Sequence, residues 1–165
     1  MAKQKITPFL WFDGKAEEAI KLYTSIFSAG PNGKNSKIGT ISYWGEGSPF
    51  PKGQVMTGSF ELDGQPFYAF DAGPQFKFTE AISFLINCET QEEIDYFWEK
   101  LTADGGEESV CGWLKDKFGV SWQIVPPVLM KLMGDKDKAK AGRVMQAMMK
   151  MKKIIIADLE KAAQG

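Results

Sequence analysis

An internal repeat constrains the fold of this 165-residue chain more than any other feature. When the sequence is shifted by 74 residues, TPFLWFDGKAEEAIKLYTSIF lies over AISFLINCETQEEIDYFWEKL without a gap. Both copies begin with a short apolar run that is typical of a strand. Apolar residues then recur at steps of three and four, which is the spacing of an amphipathic helix. The sequence therefore predicts two copies of one strand–helix unit.

Each copy is followed by segments with the alternation of β-strands. After the first copy, KIGTISYW, QVMTGSFEL and PFYAFDA predict three strands, and Asp63-Gly64 between the last two is a strong signal for a tight hairpin. After the second copy, GEESVCGWLKDKFGVSWQIVPP predicts further antiparallel strands with a turn at residues 115–117. We therefore expect an α+β protein made of two βαβββ-type modules.

The last part of the chain has a helical pattern, with VLMKLM, KAKAGRVMQAMMKMKK and IIIADLEKAA in succession. Its methionine-rich face is better explained by packing than by chemistry, because methionine fills irregular gaps. We expect this arm to pack on its own sheet or on a second subunit. The predicted organisation is a single domain, residues 1–165, with module one at 1–74, module two at 75–127 and a C-terminal helical arm at 128–165.

The chain contains no histidine and only two cysteines, Cys88 and Cys111. Without an imidazole, Ser-His-Asp and Cys-His catalysis within this chain are excluded. Two cysteines are too few for a structural zinc site or a disulfide framework, so we predict a reducing, cytoplasmic location. Met1 is followed by polar and charged residues, and no apolar stretch approaches the ~20 residues that span a bilayer. We therefore expect no signal peptide and no membrane partner.

Charge gives little support for a nucleic-acid partner. The net charge is −1, although residues 131–165 hold nine basic against four acidic side chains. A solvated helix face explains this bias better than an interaction tail. The basic stretch has no interleaved aromatic residues, so we expect no nucleic-acid binding.

Several segments resemble one protein family. FLWFDGKAEEAIKLYTSIF, DGQPFYAFDAGPQFKFTEAISF and CGWLKDKFGVSWQIVP are similar to the PhnB-like proteins, often labelled demethylubiquinone methyltransferase-like. The tail RVMQAMMKMKKIIIADLEKA is also similar to tails in this branch. The branch belongs to the vicinal oxygen chelate superfamily. The resemblance implies the glyoxalase/bleomycin resistance/dioxygenase fold, in which two βαβββ modules form curved mixed sheets around a cleft, and it implies a homodimer.

The resemblance also implies where a metal would bind. The best-understood members of the superfamily hold a divalent ion with two histidines and one or two glutamates. The corresponding positions fall near Thr7, on Ala81 and Gln123, and between Ala69 and Asp71. These side chains supply at most one anionic ligand, too few to hold zinc, nickel or iron(II) against water. We therefore expect no metal and no cofactor.

The methyltransferase label implies S-adenosylmethionine as the methyl donor. Enzymes that use it usually present a glycine-rich loop between a parallel strand and a helix, followed by an acidic residue. Here Gly45-Glu46-Gly47 and Gly105-Gly106 fall in loops of a predicted antiparallel meander instead. Our first hypothesis is a metal-free protein that binds a small organic molecule. The alternative is an enzyme with methyl-transfer, carboxylate or thiol chemistry, and a third is an interaction module that engages a partner through the arm.

Aromatic side chains near the strands are the main candidates for a ligand site. They would line the cleft and bind a flat or apolar molecule by burial and stacking, although core packing is the simpler explanation of each tryptophan alone. On SWQIV, alternation places Gln123 and Ser121 toward the cleft and Trp122 toward the helices. The candidate ligand-binding residues are Thr7, Trp11, Trp44, Phe70, Asp71, Cys111, Trp113 and Gln123.

Other roles are open for some polar candidates. We expect Asp13 to cap the first helix and Asp71 to lie in a turn, which are common positions for aspartate. Cys111 has no histidine to activate it, so a small buried hydrophobe is its simpler role.

Overall fold

The computed structural model describes residues 5–31, 33 and 35–165. The chain divides into two compact units, which we call unit one (Met1–Lys77) and unit two (Phe78–Gly165). The division lies within three residues of the predicted boundary between the modules, and the C-terminal arm belongs to unit two. The prediction that residues 1–165 make a single domain stays a prediction.

Unit one contains a four-stranded mixed sheet and one helix. The strand order is β1-β4-β3-β2, with β1 parallel to β4 and the other neighbours antiparallel. Asp63 and Gly64 join β3 to β4 with φ angles of 46° and 78°, as a tight hairpin turn of the predicted kind requires. The elements are β1 (Phe9–Phe12), α1 (Ala16–Ala29), β2 (Lys37–Tyr43), β3 (Val55–Leu62) and β4 (Gln65–Asp71).

Helix α1 buries the stripe that the sequence predicts. A Cβ added to Gly58 of β3 would lie 2.5 Å from Ile20 Cδ1, so glycine lets the helix lie directly against the sheet. The Tyr23 ring stacks on Phe60 of β3, with 6.4 Å between centroids. The buried stripe includes Ala16, Ala19, Ile20, Tyr23 and Phe27.

The expectations for Asp13 and Asp71 were wrong. Lys15 lies at the N-cap position of α1 and makes no side-chain capping bond. The Asp71 carboxylate instead accepts hydrogen bonds from the N–H of Ala16 (2.9 Å) and of Val55 (3.0 Å). Asp71 is the last residue of β4, not a turn residue, and is almost fully buried. Sequence reasoning missed this because the residue that caps the helix comes from a strand 55 positions further along the chain.

Unit two repeats the arrangement of unit one. Its strand order is β5-β8-β7-β6, with β5 parallel to β8. The order matches that of unit one, so the prediction of two βαβββ modules is confirmed. The elements are β5 (Ser83–Asn87), α2 (Gln91–Thr102), β6 (Glu107–Glu108), β7 (Trp113–Lys115) and β8 (Ser121–Val125).

Helix α2 begins differently from α1. The Thr90 side chain accepts from the N–H of Glu93, and the Glu93 carboxylate accepts from the N–H of Thr90, which together form a capping box. Near the predicted turn at residues 115–117, Asp116 is buried. It accepts from the backbone N–H groups of Phe118 and Val120 and from the Trp122 indole. Each unit therefore uses a buried aspartate to join its loops to its sheet.

The C-terminal arm packs within unit two. The Gln91 side chain donates to the carbonyl of Ile154 (3.1 Å) and accepts from the N–H of Ile156 (2.9 Å). Ile154 itself is fully buried. No helix in the described ranges is long and apolar enough to span a membrane. The helices of the arm are α3 (Pro127–Met133), α4 (Lys138–Met148) and α5 (Ile156–Gln164).

Candidate functional site

Two faces of the sheet in unit one differ sharply in what they carry. The side chains that point toward α1 include Leu10 and Phe12 of β1 and Ala69 of β4, all buried. Because side chains alternate along a strand, the residues between them point to the opposite face. On that face, β1 and β4 present two successive pairs of aromatic side chains. Phe9 is paired with Tyr68, and Trp11 is paired with Phe70.

These rings form a continuous cluster. Phe9 stacks on Tyr68 with centroids 5.6 Å apart and meets Phe70 edge-on at 5.0 Å. Trp11 meets Phe70 at 4.8 Å and Phe76 at 4.9 Å, both edge-on. Such geometry is the favoured one for aromatic pairs. We call Phe9, Trp11, Tyr68, Phe70 and Phe76 the aromatic face.

The aromatic face remains open to solvent within the described structure. Phe9 is 56% exposed, Tyr68 is 41% exposed and Phe76 is 66% exposed. Large apolar side chains rarely cluster on a surface without a binding role. The combination of ordered ring contacts and exposure distinguishes this cluster from the buried aromatic residues on the α1 side of the sheet.

A small groove adjoins the aromatic face at Tyr68. Its volume is about 210 Å³, below the roughly 300 to 1,000 Å³ of a pocket that encloses a drug-sized ligand. Ser59 and the Lys37–Glu61 ion pair (3.3 Å) give it polar walls. Gly39 lies directly against Ser59, where an added Cβ would clash with Ser59 Oγ. The groove can therefore take one polar substituent of a ligand rather than a whole molecule.

The structure brings the rings of two predicted site residues, Trp11 and Phe70, into contact. The Trp11 indole also donates to the carbonyl of Gly73 (2.8 Å), which fixes the ring where the chain leaves β4. Thr7 lies two residues before β1 and is half-buried. The placement of Trp11 and Phe70 makes the open side of β1 and β4 the best candidate site in unit one.

Trp44 and Asp71 lie together but serve the fold. The Trp44 indole donates to the Asp71 carbonyl (2.9 Å), and its ring lies 5.0 Å from that of Phe50. The Asp71 carboxylate points toward α1 and is occupied by two backbone N–H groups. Neither group belongs to the ring cluster on the opposite side of the sheet.

The remaining predicted residues lie in unit two. Trp113 and Gln123 are direct partners across β7 and β8, so their side chains share one face. The Gln123 amide donates to Ser83 Oγ at 2.8 Å. Cys111 precedes β7 with a φ of 58° and donates its N–H to the carbonyl of Met151 in the arm. As expected from alternation, Trp122 is buried on the other side of the sheet, where its ring contacts Phe84.

Sequence reasoning missed three members of the aromatic face, which are Phe9, Tyr68 and Phe76. Alternation could have found the first two, because Phe9 has the same parity as Trp11 and Tyr68 the same parity as Phe70. No pattern in the sequence places Phe76, since it lies in the irregular segment after β4 and reaches Trp11 only through the tertiary fold.

Electrostatics do not mark a reactive group at the aromatic face. The ionisable groups with lowered or raised pKa values are mainly exposed ion pairs, such as Glu80 with Lys115, where the hydrogen bond between the partners lowers the pKa of the carboxyl. Burial raises the pKa of the Cys88 thiol to about 12. Within the described residues, no group of three or more acidic or cysteine side chains could hold a metal ion.

Comparison with known proteins assigns the family. A family model described as 3-demethylubiquinone-9 3-methyltransferase matches residues 4–125. The chain belongs to this family. The match ends at β8, so the predicted similarity of the tail to tails in the family stays a prediction. No curated protein matches the sequence.

Solved structures support the same assignment. A PhnB protein of Bacillus cereus, described by the same methyltransferase name, is 42% identical, with a TM-score of 0.67 over 74% of this chain and 99% of the relative. A Pseudomonas aeruginosa protein is 21% identical (TM-score 0.61, 75% of this chain and 98% of that one). The fosfomycin resistance protein FosX of Listeria monocytogenes is 11% identical (TM-score 0.52, 79% and 98%) and shares the fold alone. The predicted PhnB-like membership and the glyoxalase/bleomycin resistance fold are confirmed.

Proposed function

We propose that this protein binds a small organic molecule that contains a flat ring, without a metal, on the aromatic face of unit one. The observation that carries the proposal is the cluster of five rings that are joined by four ring contacts and of which three stay exposed. Stacking and burial are the interactions that such a surface offers. The adjoining groove would take a polar substituent of the ligand.

The expected energetics agree with reversible binding. Burial of apolar surface is worth about 25 cal/mol per Å², so a ligand that covers roughly 200 Å² gains about 5 kcal/mol. This corresponds to sub-millimolar affinity for a bare ring, before the cost of ordering. Hydrogen bonds in the groove to Lys37, Ser59 or Glu61 would add affinity and select the ligand.

The family name suggests methyl transfer, but the local structure does not favour it. Helix N-termini attract the phosphate groups of nucleotide-like cofactors, and each unit has a helix that begins after a parallel strand. In unit one the helix N-terminus is occupied by the Asp71 carboxylate, and in unit two by the Thr90–Glu93 capping box. A cofactor group would have to displace these bonds, so we do not derive a methyl-transfer step.

The residues at the superfamily's metal positions do not favour an ion either. Phe70 in β4 and Gln123 in β8 occupy corresponding positions, since Phe70 pairs with Trp11 and Gln123 with Leu85. The phenyl ring has no atom that can bind a metal, and the glutamine amide is an uncharged ligand. The proposed mode of binding is therefore contact with rings rather than coordination.

The proposal includes a location and an assembly. Two free thiols, Cys88 and Cys111, agree with a reducing cytoplasm. A homodimer agrees with the exposed outer edges of β2 and β6, which are terminal strands in their sheets.

A calorimetric titration with 2-naphthol, a flat neutral probe, tests the proposal. We expect saturable binding to the native protein. The double variant Phe9→Ser/Tyr68→Ser removes both stacked rings and should bind at least about tenfold more weakly. Circular dichroism of the variant establishes that the fold is retained.

Tyr43→Ser is the matched control. Tyr43 is 46% exposed and belongs to the same sheet, but it lies on the α1 side, near Glu17. This variant should bind 2-naphthol as the native protein does. Equal weakening in both variants would contradict the proposal, and so would tight, saturable binding of S-adenosylmethionine in the same calorimeter.

A further inference from the structure

The groove beside Tyr68 continues the aromatic face across the sheet of unit one. Tyr68 is the register partner of Phe9 in β1 and of Ser59 in β3. Because side chains alternate along a strand, Glu61 points to the same side of β3 as Ser59. Lys37 of β2 is the direct partner of Glu61. A ring that stacks on Tyr68 therefore lies beside this charged pair, at the separation of diagonal neighbours in a sheet, about 7 to 8 Å.

A ligand can reach the charged pair from solvent. The side chain of Lys37 is 69% exposed and that of Glu61 is 39% exposed. Both side chains line the groove together with Tyr68. A polar substituent on a ring at Tyr68 can therefore enter the groove without moving a buried side chain.

Ser59 serves the backbone of β2 at this place. Its Oγ accepts from the N–H of Thr40 (2.9 Å) and donates to the carbonyl of Thr40 (3.3 Å). The pairing of β2 with β3 shifts register between Ile38 and Ile41, so this serine bridges an irregularity in the edge strand. The ammonium of Lys37 and the carboxylate of Glu61 are therefore the main groups that can exchange bonds with a ligand.

The charged pair presents one donor and one acceptor side by side. Lys37 Nζ lies 3.3 Å from Glu61 Oε2, and an exposed pair of this kind contributes little to stability, so a ligand can replace their mutual bond at small cost. The ammonium only donates and the carboxylate only accepts. Glu61 would repel an anionic substituent, and Lys37 would repel a cationic one. A carboxamide is neutral and has a carbonyl acceptor and an NH₂ donor, so it matches both partners.

We propose that the aromatic face selects neutral aromatic carboxamides, whose carbonyl oxygen accepts from the Lys37 ammonium and whose NH₂ group donates to the Glu61 carboxylate. This inference rests on the proposed function, since the ring of the ligand stacks on Phe9 and Tyr68. Lys37 and Glu61 are the residues that determine specificity, because the rings would bind any flat apolar group.

Three soluble probes share a phenyl ring and differ in the substituent. Benzamide donates and accepts, acetophenone only accepts, and benzoate is an anion at pH 7. Dissociation constants are measured from the backbone amide signals of Tyr68 and Glu61 in a ¹H–¹⁵N spectrum of the full chain. Benzamide should bind about fivefold more tightly than either of the other probes, the ratio that one hydrogen bond provides.

Glu61→Gln is the decisive variant. It leaves Lys37 without its counter-charge, so benzoate should become the tightest of the three probes. Glu17→Gln is the matched control, because Glu17 pairs with Lys21 at nearly the same exposures but belongs to α1, on the opposite side of the sheet. The control should keep the native order of affinities. Unchanged dispersion of the amide signals establishes that both variants are folded.

Titration of 2-naphthol into the same samples separates two kinds of failure. The carboxamide proposal is overturned if the three probes bind equally, if Glu61→Gln leaves their order unchanged, or if 2-naphthol binds and benzamide does not. Each of these results leaves the aromatic face as a binding site. If neither 2-naphthol nor any phenyl probe shifts the Tyr68 signal, the proposed function fails as well.

Discussion

Asp71 shows at the scale of one residue how the sheet and helix of unit one are joined. Its carboxylate satisfies the first N–H of α1 and the N–H that begins β3, so it links three elements. A sequence pattern can only suggest a capping residue that lies next to the helix, and Asp13 met that rule. The bond that forms is long-range, and only the fold determines it.

Removing the Asp71 carboxylate should destabilise the protein strongly. Asp71→Ala leaves two buried backbone donors unpaired, and we expect the free energy of unfolding to fall by about 3 kcal/mol. Asp13→Ala changes an exposed side chain and should cost less than about 0.5 kcal/mol. Urea unfolding followed by circular dichroism measures both. Similar losses for the two variants would mean that Asp71 does not hold α1.

Cys88 gives the stability of the protein a dependence on alkaline pH. Burial, with a smaller effect of Glu93, raises the pKa of its thiol from an ordinary value near 9 to about 12. The unfolded chain therefore loses this proton at lower pH than the native chain, and the free energy of unfolding falls as pH rises from about 9 toward 12. Urea unfolding at pH 8 and pH 10.5 should show a larger loss for the native protein than for Cys88→Ala. An identical loss in the two proteins would refute this origin.

At the scale of elements, the 74-residue repeat predicted the strand–helix units, and the turn signals predicted the meander. Both predictions succeeded because apolar periodicity and the residue preferences of tight turns are local properties of the sequence. The aromatic face was only half predicted. Trp11 and Phe70 were identified as candidates, but their contact depends on the parallel register of β1 and β4, which brings together residues 59 positions apart in the chain. Register of that kind cannot be read from either strand alone.

Close packing of α1 on β3 gives a test at this scale. Gly58→Ala would place a Cβ 2.5 Å from Ile20 Cδ1, which is fully buried, so the helix or the side chain must shift. We expect the free energy of unfolding to fall by about 2 kcal/mol. Gly45→Ala is the control, because no atom lies within 4 Å of the added Cβ. The free energy of unfolding of Gly45→Ala should lie within about 0.5 kcal/mol of the native value or above that value. A loss in Gly45→Ala as large as in Gly58→Ala would contradict the packing argument.

At the scale of the whole molecule, the chain has the family's fold, and we propose that it assembles as a homodimer. The sequence does not identify a ligand for the binding that we propose, and the two units present different side chains at corresponding positions. Rings occupy the open side of one sheet, whereas the corresponding positions of the other carry Ser83, Leu85, Ser121 and Gln123. Ligand identity depends on shape and solvation that no residue pattern encodes.

The proposed homodimer predicts a mass near twice the 18.4 kDa of the chain. Sedimentation equilibrium at micromolar concentrations measures it directly. A single species at the monomer mass over the whole concentration range would refute the dimer and would leave the ligand proposals unchanged.

The indole N–H signals in a ¹H–¹⁵N spectrum, titrated with 2-naphthol in the presence of excess EDTA, test metal-free binding on the aromatic face most directly. The Trp11 indole lies on this face and donates to Gly73, whereas the Trp122 indole is buried in unit two, bonded to Asp116. Trp11→Phe assigns the first signal. We predict a saturable shift of the Trp11 signal that EDTA does not alter, with the Trp122 signal unmoved. A Trp11 signal that stays still, or that shifts only when a divalent metal is restored, would contradict the account.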